Sequence, residues 1–273
     1  MAEITVALIS KLRQQTSAGM MDCKKALTES DGDFDAAVEW LRKKGDATSA
    51  KKASRATSEG VIARHLAEDG KGGTLVEINC ETDFVAKNDG FQTFCEETAG
   101  ALHADSNADL EESRKAIVAS LGENIRIARS ESLNLDGEGA VAAYIHHGAK
   151  VGVLVAVSAD SADTAGSEAF TTLLKDLTLQ IAAANPTVVS REELDADTVA
   201  KEREIAAEQF KDKPAQAIEK IVDGKMEKYF SEFCLVDQDF VKGDGKVKDQ
   251  IAAAGDGIAV KAFLRFQVGE TEE

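Results

Sequence analysis

The residues of this chain with the clearest chemical signal form the segment ETDFVAKN at positions 81–88. It follows an apolar, strand-like run at 74–80, so the chain is expected to turn there. The oxygens of Thr82 and Asp83 suit a turn or a helix start, because they accept hydrogen bonds from nearby backbone N–H groups. Phe84 comes directly after them, and a large ring there offers much contact area with few rotatable bonds. The segment alone fits either a contact for another molecule or a ring that returns to its own core, which is the usual place of an isolated aromatic.

The chain lacks the sequence patterns of common catalytic and metal sites. It has no GxxxxGK[ST] or GxGxxG loop for phosphates, and no GxSxG or HExxH motif. The cysteines are scattered without CxxC spacing, which favours reduced thiols over disulfides or a zinc site. None of the four histidines lies at metal-ligand spacing from a cysteine or carboxylate. We therefore expect neither an enzyme nor a chain with a metal or cofactor of its own.

Composition and charge restrict the cellular site and the class of partner. The chain has 273 residues, 43% of them apolar and 30% charged, which is ordinary for a soluble globular protein. It shows no signal peptide and no apolar run near 18 residues, so we expect a cytoplasmic protein without a membrane partner. Residues 1–56 carry ten Lys or Arg against eight Asp or Glu, whereas the whole chain has a net charge of −17. The residues after position 56 are therefore strongly acidic and would repel a phosphate backbone. We expect a protein partner instead of nucleic acid.

The N-terminal residues read as a three-helix head over 1–45. Apolar residues recur at helical spacing, with the first helix beginning near Glu3 and the third ending at Gly45. So compact a unit resembles a ubiquitin-associated-type domain. Residues 46–57 are small, polar and basic, and they predict a linker.

Two adjacent methionines, Met20 and Met21, open the second helix of this head. Methionine adapts to irregular apolar surfaces, so both side chains fit a contact with a partner. Filling the core of the head is an equal alternative.

The rest of the chain reads as two copies of one α+β unit. Each copy has a β-hairpin, helices and a closing strand, over 58–138 and 139–273. The second copy contains an insertion at about 188–232, where two polar helices form an antiparallel hairpin that resembles a short coiled coil. A capping box at 190–193 predicts the start of the first of these helices, and Pro214 the start of the second. The predicted fold class is therefore α+β, with a three-helix head and a duplicated core that carries a helical hairpin.

Four motifs, in order along the chain, resemble those of the bacterial translation elongation factor Ts family. They are TxAGMMDCKKAL from Thr16, CxTDFVAK from Cys80, GENI from Gly122 and HGAxVGVLV from His147. The first two are long and specific, and the resemblance spans nearly the whole chain, including the insertion. It implies a guanine-nucleotide exchange factor that binds elongation factor Tu with GDP in the cytoplasm during translation. Some members continue into a further helical C-terminal module, which this sequence is expected to lack.

The resemblance also implies which residues meet that partner. In the family, the Thr-Asp-Phe-Val segment contacts the GTPase domain near its Mg²⁺ site, with the aromatic ring inserted between partner side chains. The matching residues here are Thr82, Asp83, Phe84 and Val85. Further contacts are implied from the head at Leu12, Arg13, Met20 and Met21, and from the core at Leu121, Gly122, His147 and Gly148. For Leu12, packing between helices is an equal explanation.

The implied mechanism needs no cofactor of the chain's own, because it acts on GDP and Mg²⁺ that the partner holds. The resemblance is compatible with a heterodimer or a 2:2 assembly with Tu. Two other classes stay open: a non-exchange adaptor or chaperone-like binding module, and a thiol-dependent enzyme.

Overall fold

The computed structural model describes residues 4–16 and 18–270, and it confirms an α+β fold. The predicted helix start near Glu3 and the predicted outer limits of the domains, residues 1 and 273, lie outside these residues. Within them, no helix combines the length and apolar character needed to span a bilayer. The division into separately folding domains stays a prediction.

The head consists of three helices, as predicted. They are α1 (Val6–Thr16), α2 (Met20–Glu29) and α3 (Phe34–Lys52). The Asp33 side chain caps α3 by accepting a hydrogen bond from the Ala36 N–H at 2.9 Å. The helices enclose a small apolar core formed by Ile9, Leu12, Cys23, Ala26, Leu27, Ala37 and Leu41.

The first half of the core is a three-stranded antiparallel sheet in the order β1-β2-β3, with helices between β2 and β3. The strands are β1 (Glu59–Leu66), β2 (Gly72–Cys80) and β3 (Ile125–Asn134). The helices are α4 (Asp83–Ala86), α5 (Asp89–Ala104) and α6 (Glu111–Leu121).

The second half repeats this topology in the order β4-β5-β6. Its strands are β4 (Gly139–Ile145), β5 (Val151–Ser158) and β6 (Ala259–Gln267). Its helices are α7 (Ala162–Ala165), α8 (Glu168–Ala184), α9 (Ala196–Glu208), α10 (Ala215–Phe233) and α11 (Val247–Ala254).

The predicted duplication is confirmed down to local irregularities. The pairing of β2 with β3 shifts register between Glu77 and Ile78, and that of β5 with β6 shifts at the equivalent Ala156 and Val157. Each middle strand leads into a four-residue helix with a hydroxyl N-cap. The two halves therefore share one backbone plan.

The two sheets pack face to face through one side of each middle strand. Leu75 of β2 and Leu154 of β5 are fully buried between the sheets, whereas their neighbours in sequence point to the outer faces. Helices α5 and α6 cover one outer face, and α8 and α11 cover the other. Gly152 permits the close approach of the sheets, because a Cβ there would lie 2.4 Å from Ile62 Cγ2.

Helix α3 is longer than the sequence predicts. The predicted end at Gly45 is wrong, and so is the start of the linker at residue 46, because the helix continues to Lys52. Gly45 is buried, and a Cβ added to it would lie 3.8 Å from Ala119 Cβ on α6. Gly45 therefore lies inside the helix, where α3 packs on α6, and does not end it. Asp46 strengthens this contact with an ion pair to Lys115 at 2.8 Å.

The insertion forms the predicted antiparallel hairpin of α9 and α10, but its first helix starts later than expected. Residues 191–193 form a short 3₁₀ turn, and α9 begins only after its N-cap Asp195. The predicted capping box fails because the Glu193 carboxylate accepts instead from the Val189 N–H at 3.0 Å. Arg191 ties the base of the hairpin, since its guanidinium bonds both Glu227 and Asp237 at 2.6–2.9 Å.

Candidate functional site

Phe84 is the most exposed large apolar side chain among the described residues. It is 82% accessible, while the next two residues, Val85 and Ala86, are buried in the core under α5 and α6. The alternative that Phe84 returns to its own core is therefore wrong. The N-cap Thr82 fixes the backbone of this turn, since its hydroxyl accepts from the Val85 N–H at 3.3 Å. Residues 82–85, called the Phe84 turn below, are thus held firmly and present an exposed aromatic ring.

Asp83 places a charged group beside this ring. Its carboxylate accepts from Lys87 Nζ at 2.7 Å, one helical turn away, and this hydrogen bond holds the pKa of Asp83 below its ordinary value. Both side chains are exposed, so water screens the pair strongly. The pair is therefore free to exchange partners when another charged surface approaches.

Leu121 and Gly122 directly precede Glu123, whose carboxylate accepts from the Thr82 N–H at 3.0 Å, and their place on a shared partner surface stays a prediction. Leu121 packs on the same cluster that contains Val85. Gly122 ends α6 with a φ of 75°, a left-handed conformation that favours glycine. Its carbonyl accepts a hydrogen bond from Lys52, the last residue of α3.

His147 and Gly148 form an exposed turn between β4 and β5 at the same end of the core. Their neighbour Ala149 packs on the cluster beneath the Phe84 turn, and its carbonyl accepts from the Ile62 N–H at 2.7 Å. Lys150 then bonds the Glu59 carboxylate. The sequence-predicted core residues therefore share one end of the molecule through common neighbours.

The head contributes three of its four predicted contact residues to the surface. Met20 and Met21 are 52% and 73% exposed, so they are not core filler. Arg13 is exposed and lines a cleft of about 610 Å³ between α1 and helices α5 and α6, together with Leu121. Leu12 is fully buried in the head core, so its predicted contact is wrong and helix packing explains it.

Glu81 and Glu123 hold the Phe84 turn, a role that the sequence does not predict. Glu123 accepts hydrogen bonds from the backbone N–H groups of Glu81 and Thr82 at 3.1 and 3.0 Å. Glu81 in return accepts from the Asn124 N–H at 2.6 Å. The GENI motif was the available signal, but it gave no indication of what its carboxylate would bind.

No cluster of His, Cys, Asp and Glu suited to a metal ion occurs among the residues that the structure describes. The side chains around Phe84 thus offer contact area, charge and backbone rigidity. They can hold another molecule.

The four cysteines are expected to resist modification in the native protein. All are buried, and burial raises the pKa of the Cys80 thiol to about 12 and that of Cys234 to about 11. At pH 8 we expect a thiol reagent such as 5,5′-dithiobis(2-nitrobenzoate) to react at the slow rate of unfolding. Because the folded pKa exceeds the unfolded value near 9, stability should fall as pH rises from about 9 towards 12. Rapid labelling of one thiol in the folded chain would revive the thiol-enzyme alternative.

Comparison with known proteins places this fold among translation elongation factors. The family model described as Elongation factor TS matches residues 81–270. The elongation factor Ts of Trichlorobacter lovleyi is 43% identical over 98% of this chain and 93% of its own length. The proteins of that name from Nitratiruptor and from Clostridium botulinum strain Alaska E43 are 43% and 41% identical, each over 98% of this chain and 93% of the relative. The chain belongs to the elongation factor Ts family.

Proposed function

We propose that the chain is a guanine-nucleotide exchange factor for elongation factor Tu in the cytoplasm. It binds Tu carrying GDP, disturbs the Mg²⁺ and phosphate site and promotes GDP release, so that GTP can bind. The observation that carries this proposal is Phe84, which is 82% exposed on a turn whose neighbouring residues are buried or hydrogen-bonded. Such a ring loses little by entering a partner, because it contributes little to its own core.

The physical requirement for exchange is differential binding. A chain that binds nucleotide-free or distorted Tu more tightly than Tu with GDP must weaken GDP binding by the same factor. Mg²⁺ neutralises the phosphates of GDP, so displacing its ligands and waters loosens the nucleotide. The ring of Phe84 and the carboxylate of Asp83 supply a wedge and a polar contact for that displacement. The chain needs no nucleotide, metal or cofactor of its own.

Charge supports a protein partner for this surface. The chain has a net charge of −17, with the positive excess confined to its first 56 residues. An acidic body repels nucleic acid but can steer a partner of complementary charge. The basic head and the Phe84 turn then contact Tu together, in a heterodimer or a 2:2 assembly.

The test is release of fluorescent GDP from the cognate Tu, with and without this chain. We expect the chain to accelerate release in a concentration-dependent manner, with light scattering giving the stoichiometry of the complex. A chain that binds Tu and leaves the release rate unchanged would support the adaptor alternative and overturn the proposal.

A further inference from the structure

We propose that Glu123 is a positioning residue for exchange, which holds the Phe84 turn in the orientation that enters the partner. The inference rests on the proposed function for what the turn does. That one carboxylate fixes the backbone of residues 81 and 82 follows from hydrogen bonds within the free chain.

The Glu123 carboxylate uses both oxygens on the turn. Oε2 accepts from the N–H groups of Glu81 and Thr82 at 3.1 and 3.0 Å, and Oε1 accepts from the Thr82 hydroxyl at 2.6 Å. With its proton directed to Glu123, the hydroxyl oxygen is left to cap the Val85 N–H. A carboxylate suits this site because all three groups that bond it are donors. An amide could keep the two N–H groups on its oxygen only by donating its NH₂ group to the Thr82 hydroxyl, which reverses that hydrogen bond and removes the charge.

A second carboxylate makes the arrangement reciprocal. Glu81 accepts from the Asn124 N–H at 2.6 Å, and this hydrogen bond lowers the pKa of Glu81. Asn124 Nδ2 donates to the Arg55 carbonyl at 2.8 Å, just beyond the end of α3. Arg55 also bonds the Glu81 carboxylate at 3.3 Å. The Phe84 turn and the loop after α6 therefore hold each other, and both are fastened to the segment that leaves the head.

The second half of the core is an internal control for this interpretation. The pairings of β3 and β6 place Asp256 at the position equivalent to Glu123, and Gly257 at the position of Asn124. Asp256 is exposed, and among the described residues no hydrogen bond joins its carboxylate to Ser161, the equivalent N-cap. The turn nevertheless forms, since Ser161 Oγ accepts from the Thr164 N–H at 3.2 Å. The Glu123 contacts are therefore not needed to build such a turn.

The Glu123 contacts occur in the half of the core whose turn carries the exposed ring. In the other half an exposed aspartate, Asp163, occupies the position of Phe84. A wedge must be stiff, because a mobile turn loses conformational freedom when it inserts and transmits less displacement to the partner. Glu123 supplies that stiffness in advance.

The test compares Glu123→Gln with the matched variant Asp256→Asn. In the free chain we expect Glu123→Gln to raise the amide hydrogen-exchange rates of residues 81–85 by about tenfold, and Asp256→Asn to leave them unchanged. In the Tu assay the maximal rate of GDP release should fall about tenfold, with little change in the half-maximal concentration, because the head contacts remain. Added to Phe84→Ala, Glu123→Gln should cause no further loss.

Unchanged hydrogen exchange in Glu123→Gln would overturn the inference, as would an equal loss of release rate in the Phe84→Ala background. If the wild-type chain fails to stimulate GDP release, the proposed function falls, and hydrogen exchange still decides the role of Glu123. Should the amide variant not fold, Glu123→Asp keeps the charge but shortens its reach, and the same hydrogen-exchange increase is required of it.

Discussion

Replacing Phe84 with alanine is expected to slow the stimulated release of GDP from Tu by about tenfold or more and to leave the fold intact. Tenfold corresponds to about 1.4 kcal/mol of lost differential binding, which is modest for an aromatic contact at the centre of an interface. The fold should survive because the ring is 82% exposed. The melting temperature and the release rate should be measured on the same preparation.

Phe91 provides a matched control for this variant. It lies seven residues further along the chain and is fully buried, so Phe91→Ala should cost about 3–5 kcal/mol of stability. If Phe84→Ala melts as early as Phe91→Ala, the ring belongs to the core after all. If Phe84→Ala is both stable and fully active, the exchange site must be sought around His147.

Replacing Met20 and Met21 together with glutamine is expected to weaken Tu binding by roughly thirtyfold to a thousandfold. Each exposed methionine that becomes buried in a partner contributes about 1–2 kcal/mol through its apolar area. Removing the whole head would be a poorer test, because a deletion through residue 56 also takes away the Arg55 carbonyl that holds Asn124. Binding should be measured by titration of Tu, with the release rate at saturation as a second readout.

Val6→Gln is the control for the methionine pair. Val6 is another apolar residue of the head, 76% exposed on α1, for which no contact is predicted. Its replacement should leave the affinity for Tu unchanged. Equal losses in the two variants would mean that the head responds to polarity in general, and the assignment of Met20 and Met21 would fail.

Most of the fold could be predicted from local sequence. Strand β5 occurs over the predicted residues, Val151–Ser158, because its apolar run is bounded by turn residues and pairs on both sides. The duplication was visible because both halves repeat a hairpin followed by helices. Local pattern suffices where the pattern and the tertiary contacts favour the same structure.

The predictions that failed depend on contacts between distant parts of the chain. Gly45 has the properties of a helix end, yet α3 continues through it and packs on α6 near Ala119. The capping box at 190–193 has suitable residue types, but Arg191 and Glu193 are engaged elsewhere. Ala119 and Asp237 lie far along the chain from these two segments, whereas the Val189 N–H that engages Glu193 is only four residues away.

The candidate site shows the same division. The sequence selects Phe84, but it cannot decide whether the ring lies inside or outside, because that depends on which neighbours fill the core. Glu123 and Glu81 are 42 residues apart, so their hydrogen bond follows only from the return of β3 alongside β2. Leu12 is the opposite case. The resemblance implies that it contacts the partner, but its side chain is buried in the core of the head.

The unbroken run of α3 to Lys52 has a consequence for avidity. When a flexible linker joins two contact sites, binding at one raises the effective concentration at the other only in part, because the linker samples many separations. A fixed spacing that matches the partner gives the second site its highest effective concentration. The docking of α3 on α6 includes ion pairs between partly exposed groups, Asp46 with Lys115 and Arg42 with Glu112. Added salt screens such pairs, so under the proposed function we expect ionic strength to set how far the head and the core act as one bivalent ligand for Tu.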